Sequence, residues 1–126
     1  NVRETGEFVI NVAGEEILSK LMITAGRFPP EINEMVKAGF QELPGKKVRA
    51  SRIGECGLHF ECRVVWVKEA GDHLLILGEV VAADVNKDII TEDFNVLLER
   101  IKPVHYLGRG TDAFLQVGNY IRMPSR

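Results

Sequence analysis

The sequence predicts a mainly antiparallel β protein, a barrel or sheet with peripheral helices. Three observations carry that expectation. Leu58, Phe60, Cys62, Val64 and Trp66 alternate with His59, Glu61, Arg63, Val65 and Lys68 on the other face, a period-two pattern. After the turn Ala70-Gly71-Asp72, a strand-length run, HLLILGEVVAADV from His73 to Val85, returns beside it as a long hairpin. The helical patterns elsewhere are all short. At 126 residues the chain has room for one domain.

The elements follow in order. Glu7 to Val12 (EFVINV) is β-branched and aromatic, hence a strand, broken by Ala13-Gly14. Glu15 and Glu16 then open a helix, acidic side chains suiting the positive end of its dipole. Ile17, Leu18, Leu21 and Met22 form one apolar stripe facing a core, and Gly26 stops the helix. Phe28-Pro29-Pro30 cannot continue it, but proline suits the first turn of a new helix over Glu31 to Ala38, with Gly39 as its C-terminal cap. Gln41 to Gly57 reads as loop with one short extended piece at most. Within the hairpin, Trp66 and Phe60 are core by alternation, and Gly78 marks a bulge or a close backbone approach. Thr91 is placed as the N-cap of a helix carrying Phe94, Leu97, Leu98 and Ile101, ended by Pro103. A last strand or hairpin is expected near Phe114 to Val117 and Tyr120 to Met123.

Composition excludes several classes of function. Hydrophobic residues at 45% and charged residues at 27% rule out disorder and fibrous repeats. Sixteen Lys plus Arg against eighteen Asp plus Glu give a net charge of -2, so no nucleic-acid partner is expected. The apolar runs are strand-length, so no membrane partner is expected either. Cys56 and Cys62 are read as buried or half-buried free thiols in a reducing compartment, the cytoplasm, and the scattered His59, His73 and His105 offer no metal site.

No spacing specifies a reaction. A phosphate-cradling glycine loop is missing, since Gly108-Arg109-Gly110 lacks both the third glycine and the helix start. Glu15-Glu16 and Glu92-Asp93 sit at helix starts, where they complement the dipole. Lys46, Lys47, Arg49 and Arg52 form either a solvated loop or an anchor for an anionic phosphate.

Five stretches in order, NVRETGEFVINV, ITAGRFPPEINEMVKAGF, LHFECRVVWV, GDHLLILGEVVAADV and KPVHYLGRG, resemble the flavin reductase-like family of FMN-binding split-barrel proteins. The match runs over nearly the whole chain; the first and fourth stretches are its most distinctive parts. The resemblance implies a homodimeric Greek-key split β-barrel that binds FMN non-covalently near the dimer interface. It also implies transfer of electrons from NAD(P)H through FMN to an acceptor, as in an NAD(P)H:flavin oxidoreductase. Family members carry several dozen residues before the position of Asn1, so the chain is expected to lack the first barrel strands.

Carried over by position, Asn1 would sit by the FMN phosphate, and Thr24 and Arg27 near the flavin or its phosphate tail. His73 would lie at the flavin edge, where an imidazole could hydrogen-bond flavin or reach a docked nicotinamide. That makes His73 the catalytic candidate as well as a cofactor contact. The alternatives are a non-catalytic FMN-binding or electron-carrier module, and a truncated fragment that binds no flavin by itself.

Overall fold

The computed structural model describes residues 2–107, 113–116 and 118. A single turn of helix, α1 (Val2–Thr5), leads into strand β1 (Glu7–Asn11). A 3₁₀ turn (Glu15–Ile17) runs into α2 (Leu18–Thr24), and α3 (Glu34–Lys37) follows. Two-residue strands β2 (Glu42–Leu43) and β3 (Arg52–Ile53) pair with each other. The long strands β4 (Leu58–Ala70) and β5 (His73–Val85) form the hairpin, followed by α4 (Leu98–Ile101) and the antiparallel pair β6 (Val104–Tyr106) and β7 (Phe114–Gln116). The principal sheet is antiparallel, in the order β1-β4-β5. The mainly antiparallel β class with few helices is therefore as expected.

The hairpin turns on Gly71, whose φ of +64° is one an L side chain adopts only with strain. Two irregularities break the β4–β5 register, between Glu61 and Cys62 and between Val64 and Trp66. The second falls at Gly78, where an added Cβ would lie 2.6 Å from the Phe8 ring, so bulge and close approach coincide as expected. The same break overturns the core assignment of Trp66. An extra residue on β4 disrupts the alternation, and Trp66 is 46% exposed. Phe60 is half-buried.

Helical expectations hold in place but not in length. Ile17 is buried against Ala38, Phe40 and Cys56, each apolar side chain of that size contributing roughly 1.5–3 kcal/mol when fully buried. Met22, at the end of the expected stripe, is exposed. The helix expected from Glu31 begins only after Asn33, whose side chain accepts from the Met35 and Val36 N–H groups, so the N-cap rather than proline sets the start. Gly39 takes the capping conformation at φ +71°. The helix expected from Thr91 shrinks to α4. Thr91 Oγ1 accepts from the Asn95 N–H in a turn, Phe94 has φ +60°, and its ring faces solvent, so the apolar spacing there does not mark a helix face. The expected tail strand is present as β7; Val117 and Tyr120 to Met123 lie outside the described residues.

Both cysteines are free and buried. No helix among the described residues is long and apolar enough to cross a membrane.

Candidate functional site

The backbone hydrogen bonds that flank β1 fix which way its peptide groups point. Val12 N–H donates to the Leu58 carbonyl at 3.0 Å and Val64 N–H to the Gly6 carbonyl at 2.8 Å. Between these bonds every second residue of β1 faces β4, so the N–H and C=O groups of Glu7, Val9 and Asn11 point to the outer edge. Along that edge runs a cleft of about 880 Å³. Its walls are lined by Val2 and Thr5 of α1, by Phe28 to Met35, and by Arg49, Ala50 and Ser51. The volume lies within the range of small-molecule sites, and the lining suits a planar ring. Phe28, Pro29 and Ile32 are apolar, while Thr5 and Ser51 carry hydroxyls and the strand edge offers peptide groups.

One wall of this cleft is the end of a strap, residues 44–53, laid over the sheet. Asn11, His59 and Asp84 face each other across the three strands, as do Val9, Glu61 and Ala82 in the next row. The strap covers this polar face. Glu61, 1% exposed, accepts the N–H groups of Lys46 at 2.7 Å, Lys47 at 2.6 Å and Val48 at 3.1 Å. Burial alone would raise the Glu61 pKa, but these three donors and the nearby Arg52 guanidinium outweigh it and hold the carboxyl below its ordinary value. Arg52, only 11% exposed at its side chain, pairs with Asp84 and donates from Nε and Nη2 to the Pro44 carbonyl at 3.1 and 3.0 Å. Lys46 Nζ reaches Asp84 at 3.1 Å, chiefly by its hydrogen bond lowering the Asp84 pKa. Glu7 accepts the Arg49 N–H at 3.0 Å, and that bond lowers its pKa. Asn11 Oδ1 accepts the Ile53 N–H at 2.8 Å, and His59 Nε2 donates to the Ile53 carbonyl at 2.8 Å.

The basic cluster is thus exposed at Lys46, Lys47 and Arg49, yet three of its four cations are already paired. Lys46, Arg49 and Arg52 are matched to carboxylates on all three strands. Glu61 and His59, assigned by alternation to the bounding face of β4, are among the most buried polar residues. Alternation identified residues that share a face; it could not tell that a polar strap would cover that one. The usable signal was the four-cation segment just ahead of a strand with a mid-strand carboxylate.

Of the site residues expected from sequence, Asn1 lies outside the described residues, although its neighbour Val2 stands on the cleft. Thr24 ends α2, its hydroxyl donating to the Leu21 carbonyl at 2.8 Å. Arg27 is exposed, next to the cleft residue Phe28. His73 opens β5 at the hairpin tip, its side chain 81% exposed and Nδ1 2.5 Å from Asp72 Oδ1. It borders a separate open depression with Arg3 and Glu69. The cleft lining includes none of Thr24, Arg27 and His73. Burial pushes the Cys56 thiol up to about 11, helped by the Glu55 and Glu16 carboxylates, and also raises Cys62, so neither is a nucleophile near neutrality. No cluster of three or more His, Cys, Asp or Glu among the described residues could hold a metal ion.

Residues 1–112 match the family described as the flavin reductase like domain. An uncharacterized protein of Aquifex aeolicus is 40% identical over 108 residues, covering 86% of this chain and 55% of its own. One of Methanothermobacter thermautotrophicus is 39% identical, covering 82% of this chain and 51% of its own. The chain therefore spans about half the length of these curated relatives. Among solved structures, nitrilotriacetate monooxygenase component B from Bacillus cereus superposes with a TM-score of 0.89 at 21% identity, over 98% of this chain and 62% of its own. Flavoredoxin of Desulfovibrio vulgaris gives 0.82 at 20%, over 97% and 64%. A flavin reductase-type protein with a split barrel domain from Shewanella frigidimarina gives 0.86 at 20%, over 100% and 64%. At such identities these three define the fold, a split barrel.

Proposed function

The chain belongs to the flavin reductase-like family, and on that footing we propose that it is the FMN-holding part of a flavoprotein passing electrons from NAD(P)H to an acceptor. The observation that carries this reading is the cleft on the outer edge of β1, of ligand size and lined by both apolar side chains and the outward-facing peptide groups of Val9 and Asn11. FMN, when bound, supplies the hydride and electron chemistry, which is why no acid–base pair is needed. The chain's residues do the holding. Phe28 and Pro29 give an apolar wall, the Val9 peptide faces the cleft with a donor and an acceptor, and Ser51 offers a hydroxyl. Asn1 is proposed at the phosphate end, next to Val2, with Thr24 and Arg27 beyond the Phe28 wall. His73 is proposed to meet the flavin or the nicotinamide from the hairpin tip.

A homodimer fits the apolar side chains that β5 leaves exposed, Leu74 and Val80 on one face and Leu75 and Leu77 on the other, which a partner subunit would cover. A cytoplasmic location fits two free thiols. The test is reconstitution with FMN followed by dialysis. A yellow protein that bleaches anaerobically on adding NADH or NADPH is the expected result; a colourless one overturns the flavin reading, and colour without bleaching leaves a carrier rather than a reductase. The His73→Ala variant is expected to bind FMN more weakly or be reduced more slowly. Unchanged affinity and rate would remove His73 from the site.

A further inference from the structure

Apolar burial fastens the strap at Val48 and, at its end, at Ile53, which packs against the core cluster. Within it Val48 is a buried hydrophobic residue, while Lys46, Lys47 and Arg49 are exposed. Its deepest fastening is the Glu61 carboxylate, on which three successive backbone N–H groups converge. Consecutive amides turned inward on one anion form a nest, an arrangement that elsewhere captures free anions. Here the anion is the protein's own side chain, planted mid-strand on β4, with Arg52 Nε 3.9 Å away.

A carboxylate is costly to bury, and an apolar residue would serve a β core at that position at least as well. Its placement makes sense if it sets the path of a segment that matters. The next three residues beyond the nest, Arg49, Ala50 and Ser51, are a wall of the cleft. Glu7 holds that wall at the Arg49 amide and guanidinium, Asn11 and His59 hold the Ile53 peptide beyond it, and Asp84 grips side chains rather than peptide groups, so the three amides on Glu61 are the strap's densest backbone fastening. We propose that Glu61 is a positioning residue for the cleft: as an internal anion it fixes the peptides 46–48 and so sets where residues 49–51 stand. The part of this that concerns flavin rests on the function proposed above; the part that concerns the wall does not.

Glu61→Gln tests it with little change of shape. The amide keeps one acceptor oxygen but turns an NH₂ donor toward N–H donors, so at least one charge-assisted bond is lost, worth roughly tenfold in an opening equilibrium. Trypsin reads that opening, because Lys46, Lys47 and Arg49 are its cleavage sites and are exposed. The expected result is cleavage at these three residues about tenfold faster than in the parent, with far-ultraviolet circular dichroism unchanged. Equal rates overturn the proposal.

Glu61→Ala vacates the nest. Added formate should slow its cleavage and restore amide protection at 46–48, while no effect of formate counts against a nest. In the unmodified chain, the amides of Lys46, Lys47 and Val48 should exchange with solvent more slowly than that of Ala50; equal exchange overturns the assignment without any variant. FMN titration is the remaining arm: Glu61→Gln should weaken binding several-fold, and unchanged affinity overturns the link to the cleft. If the parent takes up no FMN, the proposed function falls, and proteolysis and exchange still decide on Glu61.

Discussion

Replacing Gly78 by alanine tests the packing that joins β1 to the hairpin. A methyl carbon there would lie 2.6 Å from Phe8 Cζ, 2.8 Å from Phe8 Cε1 and 3.2 Å from Cys62 Cβ. Carbon atoms prefer separations of about 3.5–4.0 Å, so the ring must retreat by roughly 1 Å. Phe8 is poorly placed to do so, because it pairs directly with Cys62 in the β1–β4 ladder and Cys62 is fully buried. Overpacking of this kind costs about 1–3 kcal/mol. For a chain of this length, 2 kcal/mol lowers the unfolding midpoint by roughly 6–12 °C. Calorimetry measures the midpoint, and a double-mutant cycle with Phe8→Leu apportions it. The shorter side chain should recover a good part of the loss, giving a coupling of about 1 kcal/mol or more. A midpoint unmoved by Gly78→Ala, or strictly additive effects, would refute the claim that the ring and the glycine share one space.

Two further outcomes follow from the charged and thiol groups. Glu7, Glu61 and Asp84 all have pKa values below the ordinary 4.5 of Glu and 3.8 of Asp, so the stability they add is complete above those values and is lost as the pH falls through the lower folded-state values. The unfolding midpoint should therefore be flat from roughly pH 5 to 7 and fall below about pH 4; a steady decline beginning near neutrality would contradict the strap's charge pairing. Cys56 sits near 11 in the core, so at pH 8 about one thiol in a thousand is ionised. A disulfide reagent should leave both cysteines unmodified in the native protein and titrate both in denaturant.

The parts of the fold legible in sequence are those set by local chemistry. Gly71 permits the hairpin turn, the β-branched and aromatic run of Glu7–Asn11 makes β1, and Gly39 caps α3. Where distant residues decide, sequence pattern fails. The alternation of β4 survives only to the bulge at Val64/Trp66, and nothing local announces that one strand will carry an extra residue there. Phe94, Leu97, Leu98 and Ile101 have helical spacing, yet only the last two lie in a helix, because Ile90 bridges to Val96 and Leu97 N–H donates to the Ile89 carbonyl, pulling the intervening segment into a turn. The cleft was invisible because its floor is a strand edge, a property of which strands pair, and its walls come from segments more than ten residues apart.

The strap bears on how a phosphate could be held here. Three cations of the strap are already committed: Lys46 and Arg52 to Asp84, Arg49 to Glu7. Breaking such a pair to serve a ligand would leave a carboxylate uncompensated, and for the largely buried Arg52 that penalty would oppose binding. The rest of the cleft lining includes Glu7, which Arg49 offsets, and Glu31, Glu34 and Glu42, whose charges repel an anion. An anionic group entering the cleft is therefore disfavoured beside those glutamates. On the function proposed above, this charge pattern predicts an FMN phosphate placed away from Glu31, Glu34 and Glu42.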